Sequence, residues 1–167
     1  QLTGGAGNDL YIINTSLHHA MGEISDSSGI DELRFSSTIA DETLVIFASD
    51  IGLERVVIGT GNSASAVSTA IITLNIDASL AINGLALIGN AGDNDLLGTA
   101  FIDNISGGAG NDVIEGGAGN DILNGGIGVD TLTGGIGDDL YIVDNASDQI
   151  IESENLAVNG IDLAQSG

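Results

Sequence analysis

The sequence of 167 residues contains 24 acidic side chains and only two basic ones, Arg34 and Arg55, for a formal net charge of −22. Such a chain cannot neutralise a phosphate backbone, so nucleic acid and anionic membrane surfaces are excluded as partners. At 43% hydrophobic residues it is too apolar for a disordered acidic tail, and no apolar run approaches the ~18 residues of a membrane helix. Cysteine is absent, so disulfides cannot hold the fold together.

The first element in chain order is the glycine-rich nonapeptide GGAGNDLYI at 4–12. It closely matches GGIGDDLYI at 134–142, and Gly-Ile-Asp follows both copies, at 29–31 and 160–162. Residues 1–13 are therefore predicted to end a preceding repeat block. We expect the chain to be a segment of a longer protein built from tandem units of roughly 130 residues.

The segment 14–88 is a spacer that lacks the glycine pattern but is rich in strand-forming residues. Short aliphatic runs separated by Gly, Asn, Asp and Ser predict strands at 43–47, 54–58, 70–76 and 85–88. Helix content is expected to be low, with at most a short helical turn at 38–43 or 50–54. Whether the spacer continues the coil of the repeats or forms a separate β element stays open at this point.

The segment 89–143 contains the strongest pattern, six nonapeptides that run from 89 to 142 without a gap. Their sixth positions carry Asn94, Asp103, Asp112, Asp121, Asp130 and Asp139. Their eighth positions are all apolar: Leu96, Ile105, Ile114, Leu123, Leu132 and Tyr141. Residues 144–167 are predicted to begin the next spacer.

Each nonapeptide predicts a glycine-rich turn followed by a very short strand at positions seven to nine, whose middle residue points inward. Two nonapeptides then complete one circuit, and equivalent residues stack at the strand spacing of about 4.8 Å. Leu96, Ile114 and Leu132 would line one inner wall, and Ile105, Leu123 and Tyr141 the other.

The same stacking places Asp112 against Asp130 and Asp121 against Asp139. Two charges so close repel by about 3–4 kcal/mol at an effective dielectric near 20, a large part of a domain's stability of about 5–15 kcal/mol. A divalent cation between turns removes this repulsion. Because only carboxylate and carbonyl oxygens are available, the chemistry favours Ca²⁺ over Zn²⁺, other transition metals and Mg²⁺.

We predict two or more Ca²⁺ ions, held mainly between the turns at 107–112 and 125–130 and between those at 116–121 and 134–139. Weaker sites would pair 98–103 with 116–121 and 89–94 with 107–112, and the turn at 4–9 requires a partner from the spacer. The candidate ligands are Asp9, Asn94, Asp103, Gly107, Gly108, Ala109, Gly110, Asn111, Asp112, Gly116, Gly117, Ala118, Gly119, Asn120, Asp121, Gly125, Gly126, Ile127, Gly128, Asp130, Gly134, Gly135, Ile136, Gly137, Asp138 and Asp139.

These repeats closely resemble the RTX (repeats-in-toxin, hemolysin-type calcium-binding) nonapeptide G-G-x-G-x-D-x-U-x. The match is full in GGAGNDVIE, GGAGNDILN, GGIGVDTLT, GGIGDDLYI and GGAGNDLYI, and degenerate in GNAGDNDLL and GTAFIDNIS. The resemblance implies an all-β, right-handed parallel β-roll, a β-solenoid with Ca²⁺ in its turns. It also implies type I secretion from Gram-negative bacteria and a chain that folds outside the cell.

The other chemistry-bearing residues carry no predicted site. His18 and His19 are expected to be an exposed pair, and no G-x-S-x-G elbow supports a hidden catalytic triad. A solvated acidic face is the plain alternative for the loop aspartates. Tyr11 and Tyr141 are predicted to plug the ends of the core, and Arg34 and Arg55 to pair with Glu32 or Glu54.

The sequence therefore predicts a non-enzymatic calcium-binding structural module of a bacterial protein that is secreted or lies at the cell surface. Its partners would be calcium ions and the adjacent repeat modules of the parent chain, with no membrane insertion. Two alternatives remain: an accessory domain of a secreted hydrolase, lyase or protease, and a repeat segment of an adhesin or surface-layer protein.

Overall fold

The computed structural model describes residues 2–16, 19–21, 23–59 and 70–152, together with the backbone of a last strand at 163–166. Regular structure in these ranges consists of β-strands, and no α-helix occurs in them. The strands are β1 Leu10–Ile13, β2 Glu32–Phe35, β3 Glu42–Val45, β4 Arg55–Ile58, β5 Leu74–Asp77, β6 Ala86–Ile88, β7 Asp95–Leu97, β8 Asn104–Ala109, β9 Val113–Ala118, β10 Ile122–Ile127, β11 Thr131–Ile136, β12 Leu140–Val143, β13 Gln149–Ile151 and β14 Leu163–Ser166.

The strands form two parallel sheets that the chain visits alternately from β2 onward. One sheet has the order β1-β2-β4-β6-β8-β10-β12-β14, and the other β13-β11-β9-β7-β5-β3. The chain is thus a β-solenoid of about 7 turns, which confirms the predicted all-β parallel roll. The spacer continues the same coil, because β2 to β6 lie in the same two sheets as the repeats.

The interior is built from the eighth positions of the repeats, as predicted. On one wall Ile114 pairs with Leu96 and Leu132, and on the other Leu123 pairs with Ile105 and Tyr141. All six side chains are at most 1% exposed. Full burial of an aliphatic side chain contributes roughly 1.5–3 kcal/mol, so this column is a main source of stability.

The repeat strands are longer than predicted. In β8 to β11 they run for six residues, through positions seven to nine and on through the first three positions of the next repeat. The glycines allow this extension, since Gly126 pairs with Gly108 and Ile127 with Ala109 in the ladder. The prediction of three-residue strands was wrong because it treated every glycine as part of a turn.

The spacer strands lie close to their predicted positions, at β3, β4, β5 and β6. The structure adds β2, which sequence reasoning missed because its sequence ELRF contains two charges. The predicted low helix content is confirmed. No helical turn forms at 38–43 or 50–54, where the chain has turns, bends, an isolated bridge and part of β3.

Both arginines pair with one acid, as one of the predicted alternatives stated. Arg34 is 2% exposed and donates from Nε to Glu32, while Nη1 of Arg55 lies 3.5 Å from Glu32 Oε2. The Glu32 carboxylate therefore neutralises the charge that β2 buries.

The described part of the chain contains no helix with the length and hydropathy needed to span a bilayer.

Replacing Leu123 by alanine should lower the free energy of unfolding by about 2–5 kcal/mol, because it opens a cavity in a fully buried column. Ile127 in the same strand is 71% exposed, so Ile127→Ala should change the free energy of unfolding by only about 0.5 kcal/mol. Denaturant unfolding in calcium buffer measures both values, and equal effects would contradict the assignment of the inner wall.

Candidate metal centre

The aspartates at the sixth positions form a buried column along each edge of the coil. Asp103, Asp112, Asp121, Asp130 and Asp139 are each at most 2% exposed, although the sequence places them in turns. This burial contradicts the alternative of a solvated acidic face. Strand stacking causes it, because each turn lies directly against the next one along the axis.

One oxygen of each carboxylate is fixed by the turn before it. Oδ1 of Asp121 accepts the N–H of Asp103, and Oδ1 of Asp139 accepts that of Asp121, both at 2.8 Å. On the other edge Oδ1 of Asp130 accepts the N–H of Asp112 at 2.9 Å. Partners are 18 residues apart in every case. The predicted contacts between Asp112 and Asp130 and between Asp121 and Asp139 are therefore present.

The second oxygen points back into its own turn. Within the described residues, Oδ2 of Asp112, Asp121 and Asp130 is buried and accepts no hydrogen bond. A buried carboxylate oxygen without a partner costs about 1–3 kcal/mol or more, so these atoms require a positive ligand. This observation, rather than the presence of acidic residues, indicates a cation site.

Burial also changes the titration of these groups. It raises the pKa of Asp112 to about 7, opposed by the hydrogen bond from the Asn94 N–H and assisted by the charges of Asp130 and Asp93. Burial raises the pKa of Asp121 to about 7 in the same way, and it raises the pKa of Asp130 as well. Without a counter-charge, Asp112 and Asp121 therefore titrate near neutral pH instead of near the ordinary aspartate value.

Glycine at position one makes room for the inward oxygen. A Cβ at Gly107 would lie 2.1 Å from Asp112 Oδ2, and one at Gly116 would lie 2.4 Å from Asp121 Oδ2. Position two differs, since Gly108 has a φ of 111° and a Cβ there would lie 2.2 Å from the Asn90 carbonyl oxygen. Position-one glycines are thus required for space, and position-two glycines for both space and backbone conformation.

The turns predicted to hold ions in pairs do lie side by side. Beyond the pairing of Gly126 with Gly108, Gly135 pairs with Gly117 and Ile136 with Ala118. The side chains of Ile127 and Ile136 are exposed, so only the backbone of these residues could bind an ion. The remaining candidate positions belong to the same four turns: Ala109, Gly110, Asn111, Gly119, Asn120, Gly125, Gly128, Gly134, Gly137 and Asp138.

Asn111 and Asn120 use their side chains on the outer edge instead. Asn111 Oδ1 accepts the N–H of Val129 at 2.9 Å, and Asn120 Oδ1 accepts that of Asp138 at 3.1 Å. These amides connect successive turns in parallel with the buried carboxylates. They are engaged in hydrogen bonds outside the column.

The two degenerate repeats satisfy their sixth positions without a cation. Asn94 Oδ1 accepts the Asn90 N–H at 2.8 Å, and its Nδ2 donates to the Leu74 carbonyl at 2.7 Å. Asp103 accepts from Thr99 N–H at 2.6 Å, from Thr99 Oγ1 at 3.1 Å and from Leu85 N–H at 2.6 Å. Asn90 and Thr99 occupy position two, where the later repeats have glycine.

Sequence reasoning missed Asp148, which extends one edge of the column. Its Oδ1 accepts the Asp130 N–H at 3.0 Å, again 18 residues away, and Ile150 pairs with Leu132. Residues 143–151 therefore act as a seventh nonapeptide that has no glycine. The signal was present, because Asp148 and Ile150 occupy the sixth and eighth positions of the same register.

At the start of the chain Asp9 does receive a partner from the spacer. Its N–H donates to Asp31 Oδ1 at 2.8 Å, across 22 residues instead of 18. Asp31 in turn donates its N–H to Glu54 Oε2 at 2.8 Å. Asp31 and Glu54 were also missed, since the longer turns of the spacer break the nonapeptide register.

The prediction of an exposed histidine pair is wrong for His19. Its side chain is buried, with Nε2 3.2 Å from Asp50 Oδ2 and its ring centroid 5.7 Å from that of Phe47. The prediction failed because the burial of His19 depends on Phe47 and Asp50, which lie in a distant turn. His18 lies outside the described residues.

The two tyrosines lie in the core, and each also closes a turn. The prediction that Tyr141 plugs an end is wrong, because the sheet continues beyond β12 with β14. Tyr11 Oη accepts the Gly4 N–H at 2.8 Å and donates to Asp26 Oδ2 at 2.5 Å. Tyr141 Oη accepts the Gly134 N–H at 2.8 Å, and burial followed by a hydrogen bond to Glu152 raises its pKa. Burial and the Asp26 carboxylate raise the pKa of Tyr11 to about 12, so both phenols are protonated donors at neutral pH.

Comparison with known families agrees with this geometry. The family described as the RTX calcium-binding nonapeptide repeat (4 copies) matches at 88–123, 107–141 and 115–150. Residues 88–150 thus carry RTX-type nonapeptide repeats, a repeat type that implies a calcium-binding β-roll. No curated protein and no solved structure shows significant similarity to the chain.

Without calcium, acidification should stabilise the fold. Raised carboxyl pKa values mean that the folded chain binds protons more tightly than the unfolded chain, whose aspartates titrate near 3.9. Stability should therefore increase as the pH falls from about 8 through 7 toward 4. Far-UV circular dichroism in a chelating buffer measures this slope as the fraction of β structure gained when the pH falls.

The double variant Asp112→Asn, Asp121→Asn should reduce the change of stability with pH in the absence of calcium. The exposed control Asp95→Asn should leave that pH dependence unchanged. A calcium-free fold that loses stability between pH 8 and pH 5 would contradict the burial of charge in the column.

Proposed function

We propose that this chain, which carries an RTX repeat block, is a structural module that folds when calcium binds after export from a bacterial cell. The module has no catalytic task in this proposal. It orders its own segment of the parent protein and stiffens or presents the neighbouring repeat modules. The proposed location is the extracellular space or the cell surface, reached by type I secretion.

The buried, unpartnered Oδ2 atoms of Asp112, Asp121 and Asp130 carry this proposal. Their backbone partners fix the orientation of the carboxylates in the folded turns, and their burial strengthens the attraction for a positive charge. The donor set is oxygen only, and successive turns supply it from two sides. A hard cation with six to eight oxygen ligands fits this set better than Mg²⁺, which requires a tight octahedron.

We place the main ions between the turns 107–112 and 125–130, and between 116–121 and 134–139. These turns combine a sixth-position carboxylate with glycine at positions one, two and four. The predicted weaker sites near Asn94 and Asp103 are expected to bind poorly. There Asn90 and Thr99 already provide the hydrogen bonds that an ion would replace.

The proposed mechanism of folding follows from the charge. A net charge of −22 and 26 glycines disfavour the compact state, through self-repulsion and through backbone entropy. When bound, calcium neutralises the column, and its binding free energy becomes folding free energy. A chain held unfolded at low calcium inside the cell would thus fold where calcium reaches about 10⁻⁴–10⁻³ M.

We also propose that the parent protein is modular, with 1–13 ending one repeat block, 14–88 a spacer, 89–143 the complete block and 144–167 the start of the next spacer. The eight-stranded sheet has at least one strand in each of these four segments. Neighbouring modules can therefore extend the same coil, which makes them the natural partners of this segment.

Calcium should convert the chain from a largely disordered state to the β-solenoid, with a midpoint near 10⁻⁴–10⁻³ M. Asp121→Asn should raise this midpoint at least about tenfold, or about 1.4 kcal/mol, because it removes a buried carboxylate charge. The exposed control Asp95→Asn should leave it unchanged. Circular dichroism during a calcium titration measures all three, with magnesium as a second titrant.

A spectrum that strong chelation leaves unchanged would refute coupled folding. Equal midpoints for Asp121→Asn and Asp95→Asn would refute the placement of the ions.

A further inference from the structure

We propose that the chain carries a docking surface for a segment of another protein, one that combines a large apolar side chain with arginine or lysine. The surface has two parts. An apolar ridge lies on one edge of the coil, in the turns 78–85 and 98–103, and an acidic groove lies on the outer face of the six-stranded sheet. Both parts lie outside the turns proposed to hold the main ions.

The apolar ridge consists of four large side chains in two consecutive turns. Between 46% and 67% of each side chain is exposed. The four residues are Leu80, Ile82, Phe101 and Ile102. The two turns lie directly against each other, since a Cβ at Gly84 would lie 2.0 Å from the Ile102 carbonyl oxygen. The side chains therefore form one patch, and contiguous exposed apolar patches mark interaction sites.

The ridge lies where the glycine pattern of the repeats is lost. Phe101 stands at the fourth position, where the full repeats have glycine, and Ile102 stands at the fifth, where they have Asn, Val or Asp. Neither side chain fills the interior, because Leu87 and Ile105 do so on that wall at 0% exposure. The ridge therefore contributes little to the packing of this chain and is available to a partner.

The acidic groove crosses the neighbouring strands β3, β5, β7 and β9 and has a volume of about 210 Å³. Its lining includes Asn75, Asp77, Asp95, Leu97 and Glu115. Pockets for small-molecule ligands measure about 300–1,000 Å³. The groove therefore suits one long side chain of a partner better than a whole small molecule.

Three carboxylates give the groove its charge. Asp95 and Glu115 are exposed, Asp77 is half-buried, and none of them takes part in an ion pair within the described residues. Leu97 pairs with Asp77 on one side and with Glu115 on the other, so apolar surface separates two of the carboxylates. The stem of an arginine or lysine packs on such a surface while its charged head reaches the acids.

The ridge and the groove adjoin along the chain. Asp77 and Leu97 end β5 and β7, and the turns that carry Leu80 and Phe101 follow directly. Asp77 Oδ1 also accepts the Ser79 N–H at 3.0 Å, so a groove carboxylate fixes the first bend of the turn that presents the ridge. A partner that fills one part therefore lies beside the other.

Charge complementarity selects the occupant. A second copy of this chain would bring 24 further acids and only two basic side chains, Arg34 and Arg55, both of which already lie at Glu32. The groove instead requires a cationic side chain, and the ridge requires a large apolar one. Aromatic residues and arginine are the usual anchors of protein interfaces, so a basic, apolar segment of a different protein fits both parts.

Fluorescence anisotropy with a labelled synthetic peptide tests the proposal. The probe is a short peptide of arginine and leucine, and its control has serine in place of leucine at the same net charge. The full chain is titrated in calcium buffer, with circular dichroism as the check that each variant keeps its β structure. We expect the arginine–leucine peptide to bind at least about tenfold more tightly than its control, because only leucine can cover the ridge.

Phe101→Ser should weaken binding of the arginine–leucine peptide at least about tenfold, because it removes the centre of the ridge. The matched control is Val129→Ser. Val129 is 44% exposed, close to the 46% of Phe101, but lies on the opposite edge of the coil. This control should leave the affinity unchanged. If Phe101→Ser fails to fold, Ile102→Ser repeats the test.

The pair Asp77→Asn, Glu115→Gln should also weaken binding about tenfold and reduce its dependence on salt, because it removes two charges of the groove. The pair Asp41→Asn, Asp144→Asn removes the same net charge at exposed positions outside the groove. It should change the affinity by less than about twofold.

Equal affinity for the two peptides would overturn the proposal, because it would show attraction to net charge alone. Equal effects of Phe101→Ser and Val129→Ser, or of the two charge pairs, would overturn it as well. Self-association of the chain in analytical ultracentrifugation that Phe101→Ser abolishes would assign the ridge to a second copy and contradict the proposed occupant.

Discussion

The buried column of stacked aspartates is the constraint on which the rest of the solenoid depends. Each carboxylate places one oxygen on a backbone N–H one turn earlier, which fixes the register, and turns the other into a space that glycine leaves open. That second oxygen cannot remain charged and unpartnered in a dry turn. Fold and cation binding are therefore consequences of the same packing, and neither can be optimised without the other.

The core and the edge of the coil differ in how they change along the axis. The inner walls are apolar throughout the described residues, so each turn there buries apolar surface whether or not an ion is present. The edge changes along the coil. Its sixth position is Leu85 in one turn, followed by Asn94 and Asp103, which are satisfied within their own turns. Asp112, Asp121 and Asp130 come next, each with one buried oxygen that accepts no hydrogen bond from the described residues. The centre of the chain therefore requires little positive charge, whereas both neighbouring glycine-rich regions require it.

The sequence predicted the parts of the structure that follow from strict periodicity. The 18-residue register, the inner walls and the Asp112–Asp130 contact all follow from a nine-residue repeat with two repeats per circuit. It did not reveal Asp148, because residues 143–151 keep the register but contain no glycine. It did not reveal Asp31 or the path of β2, because the longer spacer turns preserve the strand stack without preserving the spacing. Burial of His19 depended on Phe47 and Asp50, two residues from a distant turn that no local pattern connects to it.

The most direct measurement is a crystal structure of the chain grown with calcium, with anomalous differences to identify the ions. We expect ions bound to Oδ2 of Asp112 and Asp121, each contacted by carbonyl oxygens of the two flanking turns at about 2.3–2.6 Å. Turns between 107 and 139 that keep this geometry in abundant calcium, yet contain only water at those oxygens, would contradict the dependence of the column on cations.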